Sequence, residues 1–130
     1  MIFNLSTQSG TDIIDVTATV QNIVSTSGIK NGVCYVYVPH TTAAIMVNEH
    51  ADPSVAADIK AQLELMVPQH SGYTHGEGNS PAHIKSALIG NSQSIFIEEG
   101  KLALGIWQGV FFCEFDGPRN RTVMVKIIPG

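Results

Sequence analysis

Short stretches with apolar residues at every second position alternate along this chain with stretches in which they recur every three or four. "IFNLSTQ" places Phe3, Leu5 and Thr7 on one side, the pattern of a half-buried strand, and "DIID" beyond the turn at Gly10 reads as a second. "DVTATVQNIVSTSG" puts Val20, Ile23 and Val24 on one helical face, with Asp15 or Thr17 as the cap and Gly28 where a left-handed residue ends the helix. Two strands, "GVCYVYVP" and "TAAIMVN", follow. "DPSVAADIKAQLELMVP" predicts the longest helix: Asp52 caps it, Pro53 occupies its first turn, Pro68 stops it, and Val55, Ile59, Leu63 and Met66 form its buried stripe.

The same start logic recurs after a polar loop over residues 68–79. In "SPAHIKSALIG" Ser80 is the expected cap, Pro81 the first helical residue, and Gly90 the end. The remainder is strand: "SIFIEEGKLALG" with a hairpin turn at Glu99-Gly100, then "WQGVFFCEF" and "RTVMVKII". No repeat, linker or low-complexity tract interrupts the order, which predicts one domain over residues 1–130. The fold class is α+β, with a mainly antiparallel sheet system.

Composition narrows the partners. Of 130 residues 44% are hydrophobic and only 14% charged, against about 25% charged in a typical soluble domain. So little charge on a small chain predicts that part of its surface is hidden in an oligomer. The formal charge of -4 provides no basic footprint, which argues against nucleic acid as a partner. The apolar runs are strand-sized, so no membrane span is expected, and "MIFNLSTQSG" lacks the layout of a signal peptide. Cys34 and Cys113 lie inside apolar runs and read as buried free thiols, consistent with a cytoplasmic protein.

The polar chemistry is concentrated. "HGEGNSPAHIK" places His75 in a loop and His83 in the first turn of a helix, whose N-terminus favours the neutral, metal-binding imidazole; His40 follows a strand end. Each histidine is equally readable as a surface or capping residue, and their spacing matches no established metal motif. Glu49 follows a strand and could point inward as a general base or outward into solvent. Glu114, in "FFCEFDG", is a carboxylate in an apolar strand and needs a partner, for which Arg119 and Arg121 are candidates. The segment "DGPRNR" is first a hairpin turn, though its arginines could clamp a phosphate or carboxylate. Ser80 and the amides of the helix behind it offer a second anion-binding element. Trp107, the only tryptophan, reads as a buried anchor in the core or at a subunit interface. Phosphate-binding glycine loops, paired C-x-x-C motifs and serine nucleophile elbows are absent.

The run H-T-T, N-E-x-x-D-P, A-H-I-K and G-x-W-Q followed by D-G-P-R, spread over nearly the whole chain, resembles the YjbQ family of small proteins. One departure is Ile106, where the family usually has threonine. The resemblance implies an α+β sandwich of two sheets with two to three helices, assembled as a homotrimer, and a polar cleft at or near subunit boundaries. Carried over, the cleft residues would be His40, Asn48, Glu49, His75, Asn79, His83, Glu114 and Arg119. It also implies, weakly, a thiamine-phosphate-synthase-like activity. Two functions are then expected. The first is a metal-assisted enzyme acting on a phosphorylated small molecule. In it, a divalent metal such as zinc is held by His40, His75 and His83. Catalysis involves His83, Glu49 and His40, and the anion is taken by Asn48, Asn79, Ser80, Glu114 and Arg119. The second is a non-catalytic trimer that binds a metal or a metabolite.

Overall fold

The computed structural model describes residues 1–130. In chain order the elements are β1 (Ile2–Ser6), β2 (Asp12–Asp15), α1 (Thr17–Ser27), β3 (Gly32–Tyr37), β4 (Ala43–Glu49), α2 (Pro53–Met66), α3 (Ser80–Ile89), β5 (Ser92–Glu98), β6 (Lys101–Leu102), β7 (Gln108–Glu114) and β8 (Asn120–Pro129). The strands form two sheets, β1-β8-β3-β5-β6 and β2-β7-β4, paired antiparallel throughout.

Alternation along the strands explains the layering. In β3 Cys34 and Val36 point into the core while Tyr35 and Tyr37 face outward. The inward side chains of the larger sheet meet Ala43, Ile45, Val110 and Phe112 of the smaller one, and Val20, Ile23 and Val24 of α1 close the same cluster. The other face of the smaller sheet, through Ala44, Met46, Phe111, Cys113 and Phe115, packs on Leu63 of α2 and Ala82 of α3. The smaller sheet is thus sandwiched, which is why β7 is buried almost continuously. Cys34 and Cys113 are buried free thiols, and burial pushes them up to about 11 and about 12.

Punctuation residues behave largely as their chemistry predicts. Gly28 ends α1 in the left-handed region at φ 73°, and Glu99 and Gly100 have φ of 52° and 78°, as a tight hairpin requires. The Asp52 carboxylate accepts from the Ser54 amide at 2.9 Å. Three expectations need correction. Neither Asp15 nor Thr17 is the N-cap residue of α1: that position is Val16, and Asp15 Oδ1 instead reaches the Thr17 amide at 2.9 Å. The α3 cap is Asn79 and not Ser80; its Oδ1 makes no cap bond, and its Nδ2 donates to Asp116 Oδ2 at 2.9 Å. In α2 the buried row continues from Ile59 and Leu63 to Val67 at four-residue steps, leaving Met66 on the flank, 60% exposed.

Candidate functional site

Where β3 runs out, β4 and β8 begin and β7 ends, the polar residues collect at one end of the sandwich. The register sets this: Ala43 pairs with Glu114, and Leu5 with Arg121. Glu114 is fully buried, and no apolar site holds a bare carboxylate without compensation. Arg121, also buried, supplies it by bonding both carboxylate oxygens, Nε to Oε1 at 2.8 Å and Nη2 to Oε2. Thr7 Oγ1 and the Asp116 amide donate to the remaining lone pairs, at 2.8 and 3.0 Å. Burial alone would raise the Glu114 carboxyl, but the bonds from Arg121, Asp116 and Thr7 outweigh it and hold it below the usual range. Arg121 Nη2 also donates to Thr42 Oγ1 at 2.8 Å. The guanidinium is therefore locked in place, with Nη1 left without a partner in the chain.

Beside this pair opens a cavity of about 470 Å³ whose lining, apart from Pro39, is polar, with the Glu77 and Asp116 carboxylates among it. His40, His75, His83, Asn79, Arg119 and Arg121 all face it. Arg119 is half exposed and is held by Asp116, with Nε donating to its carbonyl at 2.7 Å and Nη2 to its Oδ2 at 2.9 Å. Burial would raise the Asp116 carboxyl, but Asn79 and Arg119 keep it low and ionised. Asn79 Oδ1 is buried and has no partner. The Thr122 amide donates to His40 Nε2 at 3.0 Å, so His40 is neutral and carries its proton on Nδ1. Burial and the neighbouring Arg121 charge both hold its pKa below the ordinary histidine value. The His75 and His83 rings meet edge to face with centroids 5.4 Å apart.

The three histidines expected to act together therefore share one cavity with Asn79 and Arg119. They do not form a three-histidine metal centre within one chain. No three His, Cys, Asp or Glu side chains converge closely enough to hold an ion, and His40 has its acceptor nitrogen engaged. Of the three, only the His75 and His83 rings are in contact. Two imidazoles on a tetrahedral ion, with bonds of about 2.0–2.1 Å, have centroids roughly 5 Å apart.

Other expected site residues lie elsewhere. Asn48 and Glu49 stand at the far end of β4, five and six residues from Ala43, or about 17 and 20 Å along the strand. There Glu49 Oε2 accepts from the Asp52 amide at 2.8 Å, a capping contact, and Asn48 Oδ1 accepts from the Glu49 amide at 2.7 Å. Neither can act as acid, base or anion ligand beside His83 of the same chain. Ser80 faces a neighbouring cavity and not the arginines. Glu114 is too deeply engaged to meet an anion and serves to position Arg121. Trp107 is no core anchor: it is 59% exposed beside Ile106, at 86%, so the threonine hydroxyl missing there touches nothing in the cleft.

Two participants in the site, and one ion pair away from it, went unread in the sequence. Asp116 anchors both Arg119 and Asn79, and Thr42 steadies Arg121. His50 Nδ1 pairs with Asp15 Oδ2 at 2.9 Å at the far end of the smaller sheet. Gly109 leaves the room for its ring, since a Cβ there would fall 2.3 Å from Nδ1. The "DGPR" turn could have signalled Asp116; nothing local links His50 to Asp15.

The YjbQ family model, described as UPF0047 protein YjbQ-like, matches residues 1–130. A UPF0047 protein of Methanocaldococcus jannaschii is 50% identical over 126 residues, covering 97% of this chain and 91% of that protein. YugU of Bacillus subtilis is 43% identical over 125 residues, covering 95% of each. A crystal structure of a YjbQ/UPF0047 protein from Clostridium acetobutylicum superimposes with a TM-score of 0.96 at 51% identity, covering 98% and 99% of the two chains. A YbjQ-like protein of unknown function from Sulfolobus solfataricus gives 0.96 at 34% identity over 100% and 96%.

Proposed function

The chain belongs to the UPF0047 family of YjbQ-like proteins, and from the cleft it carries we propose that it binds a phosphorylated small molecule and acts on it by histidine acid–base chemistry. The observation that carries this reading is the cavity in which two guanidinium groups and three imidazoles face one space, with the Asp116 and Glu77 carboxylates also on its wall. The Arg121 Nη1 and the outward side of Arg119 present fixed donors to a dianion, and such charge-assisted bonds contribute about 1.5–3 kcal/mol each. Neutral His40 adds an Nδ1–H donor, while His75 and His83 are placed to move a proton at the bound group. Asn79 Oδ1 stands ready to accept from a hydroxyl or amine.

A divalent ion such as zinc would be held by His75 and His83, with the ligand's own oxygens completing its shell, and would supply Lewis-acid stabilisation of the phosphoryl charge. The names of the relatives specify no reaction. The thiamine-phosphate-synthase-like activity therefore enters as one member of this class, in which the arginines would hold the displaced pyrophosphate. A homotrimer is part of the proposal. Ile2, Tyr35, Tyr37, Phe96, Met124 and Ile128 lie uncovered on the outer face of the larger sheet, with Lys126 and Ser94 among them, and so many exposed apolar side chains on one face favour burial against another copy. The same face suits a non-catalytic binding trimer, which differs only in lacking turnover.

Calorimetric titration with inorganic phosphate and pyrophosphate tests the reading. Binding to the wild type, weakened at least tenfold in Arg119→Ala, is the expected result. Absence of binding at millimolar ligand, or binding indifferent to Arg119, overturns it. Zinc titration separates the metal question: His75→Ala and His83→Ala should each abolish binding and His40→Ala should not. Zinc binding that survives the first two substitutions removes the two-histidine site.

A further inference from the structure

We infer that the cavity next to the anion cleft receives the organic part of the ligand, and that this part is a planar aryl or heteroaryl ring. The inference rests on the anion-binding reading and adds the class of molecule. A second cavity of about 480 Å³ lies against the cleft, and the two share His75 and His83 as a common wall. Their linings differ. The cleft carries the charged side chains Glu77, Asp116, Arg119 and Arg121, whereas the second cavity has Tyr73 and Ile84 on its walls and no Asp, Glu, Lys or Arg. A space with a charged half and an uncharged, partly apolar half fits a phosphate joined to an organic group.

The ring-shaped occupant follows from the walls. The Tyr73 hydroxyl donates to the Pro68 carbonyl at 2.6 Å, which ties the tyrosine to the end of α2 and sets its orientation. The His75 and His83 rings stand at an interplanar angle of 87° and present one edge and one face. Three aromatic rings around one cavity favour a fourth, by offset stacking and edge-to-face contact, over a flexible aliphatic chain. Thr74 and Ser80 contribute hydroxyls for polar substituents on the ring edge. The oxygen joining phosphate and ring would then lie alongside His75 and His83, where an acid or base has its use.

Calorimetry with inorganic phosphate, phenyl phosphate and butyl phosphate tests this. Phenyl phosphate should bind at least tenfold tighter than inorganic phosphate. Tyr73→Leu and Ile84→Ala should each reduce that advantage to threefold or less, with inorganic phosphate bound as in the wild type, which also reports an intact fold. Phenyl phosphate binding no tighter than inorganic phosphate overturns the ring subsite and leaves the anion reading standing. Butyl phosphate binding as tightly as phenyl phosphate removes the planar ring, as does an aryl advantage that survives both substitutions. Failure of all three ligands to bind removes the anion reading and the subsite with it.

Discussion

Replacing Glu114 by glutamine tests the arrangement that positions Arg121. The side chain is fully buried and receives bonds from Arg121 at both oxygens, from Thr7 and from the Asp116 amide. Glutamine keeps the shape but turns one oxygen into an NH₂ that faces donors, and the Arg121 charge is left buried without a counterion. Breaking a buried pair in this one-sided way costs about 3–5 kcal/mol. Because one acceptor oxygen survives, the lower end applies, roughly 3 kcal/mol, or about 10–15 °C in the melting temperature of a domain this size. The sign with pH follows from the carboxyl being held below its ordinary value in the folded protein. Its stabilisation is complete above the unfolded value of about 4.5 and is lost as pH falls through the lower folded value. Urea melts of both proteins from pH 7 to pH 3 should show the gap shrinking over that window. Phosphate should stabilise the variant more than the wild type, because it becomes the counterion that Arg121 lacks. A loss below about 1 kcal/mol at pH 7, or a gap independent of pH, refutes the account.

Gly109→Ala should destabilise by about 1–3 kcal/mol through collision with the His50 side chain, and His50→Gly in the same chain, which removes the His50 Cβ together with the ring, should recover most of that loss in a double-mutant cycle; additive losses contradict the contact. His40 observed by NMR should titrate below its ordinary 6.5, with its stabilising contribution present above that value and lost as pH falls through the lower folded one; a midpoint above 6.5 rules out the neutral acceptor. Glu49→Ala should lower thermal stability and leave phosphate affinity unchanged, given its place at the far end of β4; a large fall in affinity would mean that a second copy brings it to the cleft. Light scattering should give three times the chain mass, and Phe96→Glu should reduce it; a monomeric wild type contradicts the assembly.

The elements were legible in the sequence because their causes are local. Period-two alternation marked β3, β5 and β8, the Asp52-Pro53 pair began α2, and Gly28 and Glu99-Gly100 needed only their own torsions to be placed. His40, His75 and His83 stood out by their places at a strand end, in a loop and at a helix start, and the resemblance, not their spacing, put them in one cleft. Glu114 announced its need of a cation because a carboxylate among Phe112, Cys113 and Phe115 has no other stable state. Only the packing of the two sheets, with Glu114 on β7 of one and Arg121 on β8 of the other, selected Arg121 as that cation, and the register of β4 on β7 carried Asn48 and Glu49 to the opposite end. Likewise His50 and Asp15 lie 35 residues apart, and β2 and β4 meet only through β7. Side-chain direction in a strand is set by a residue's own parity, so the sequence reveals it. Which end of which strand becomes a neighbour depends on pairings between distant segments, whose free energies are shared across the whole sheet, and that was decided by the tertiary structure alone.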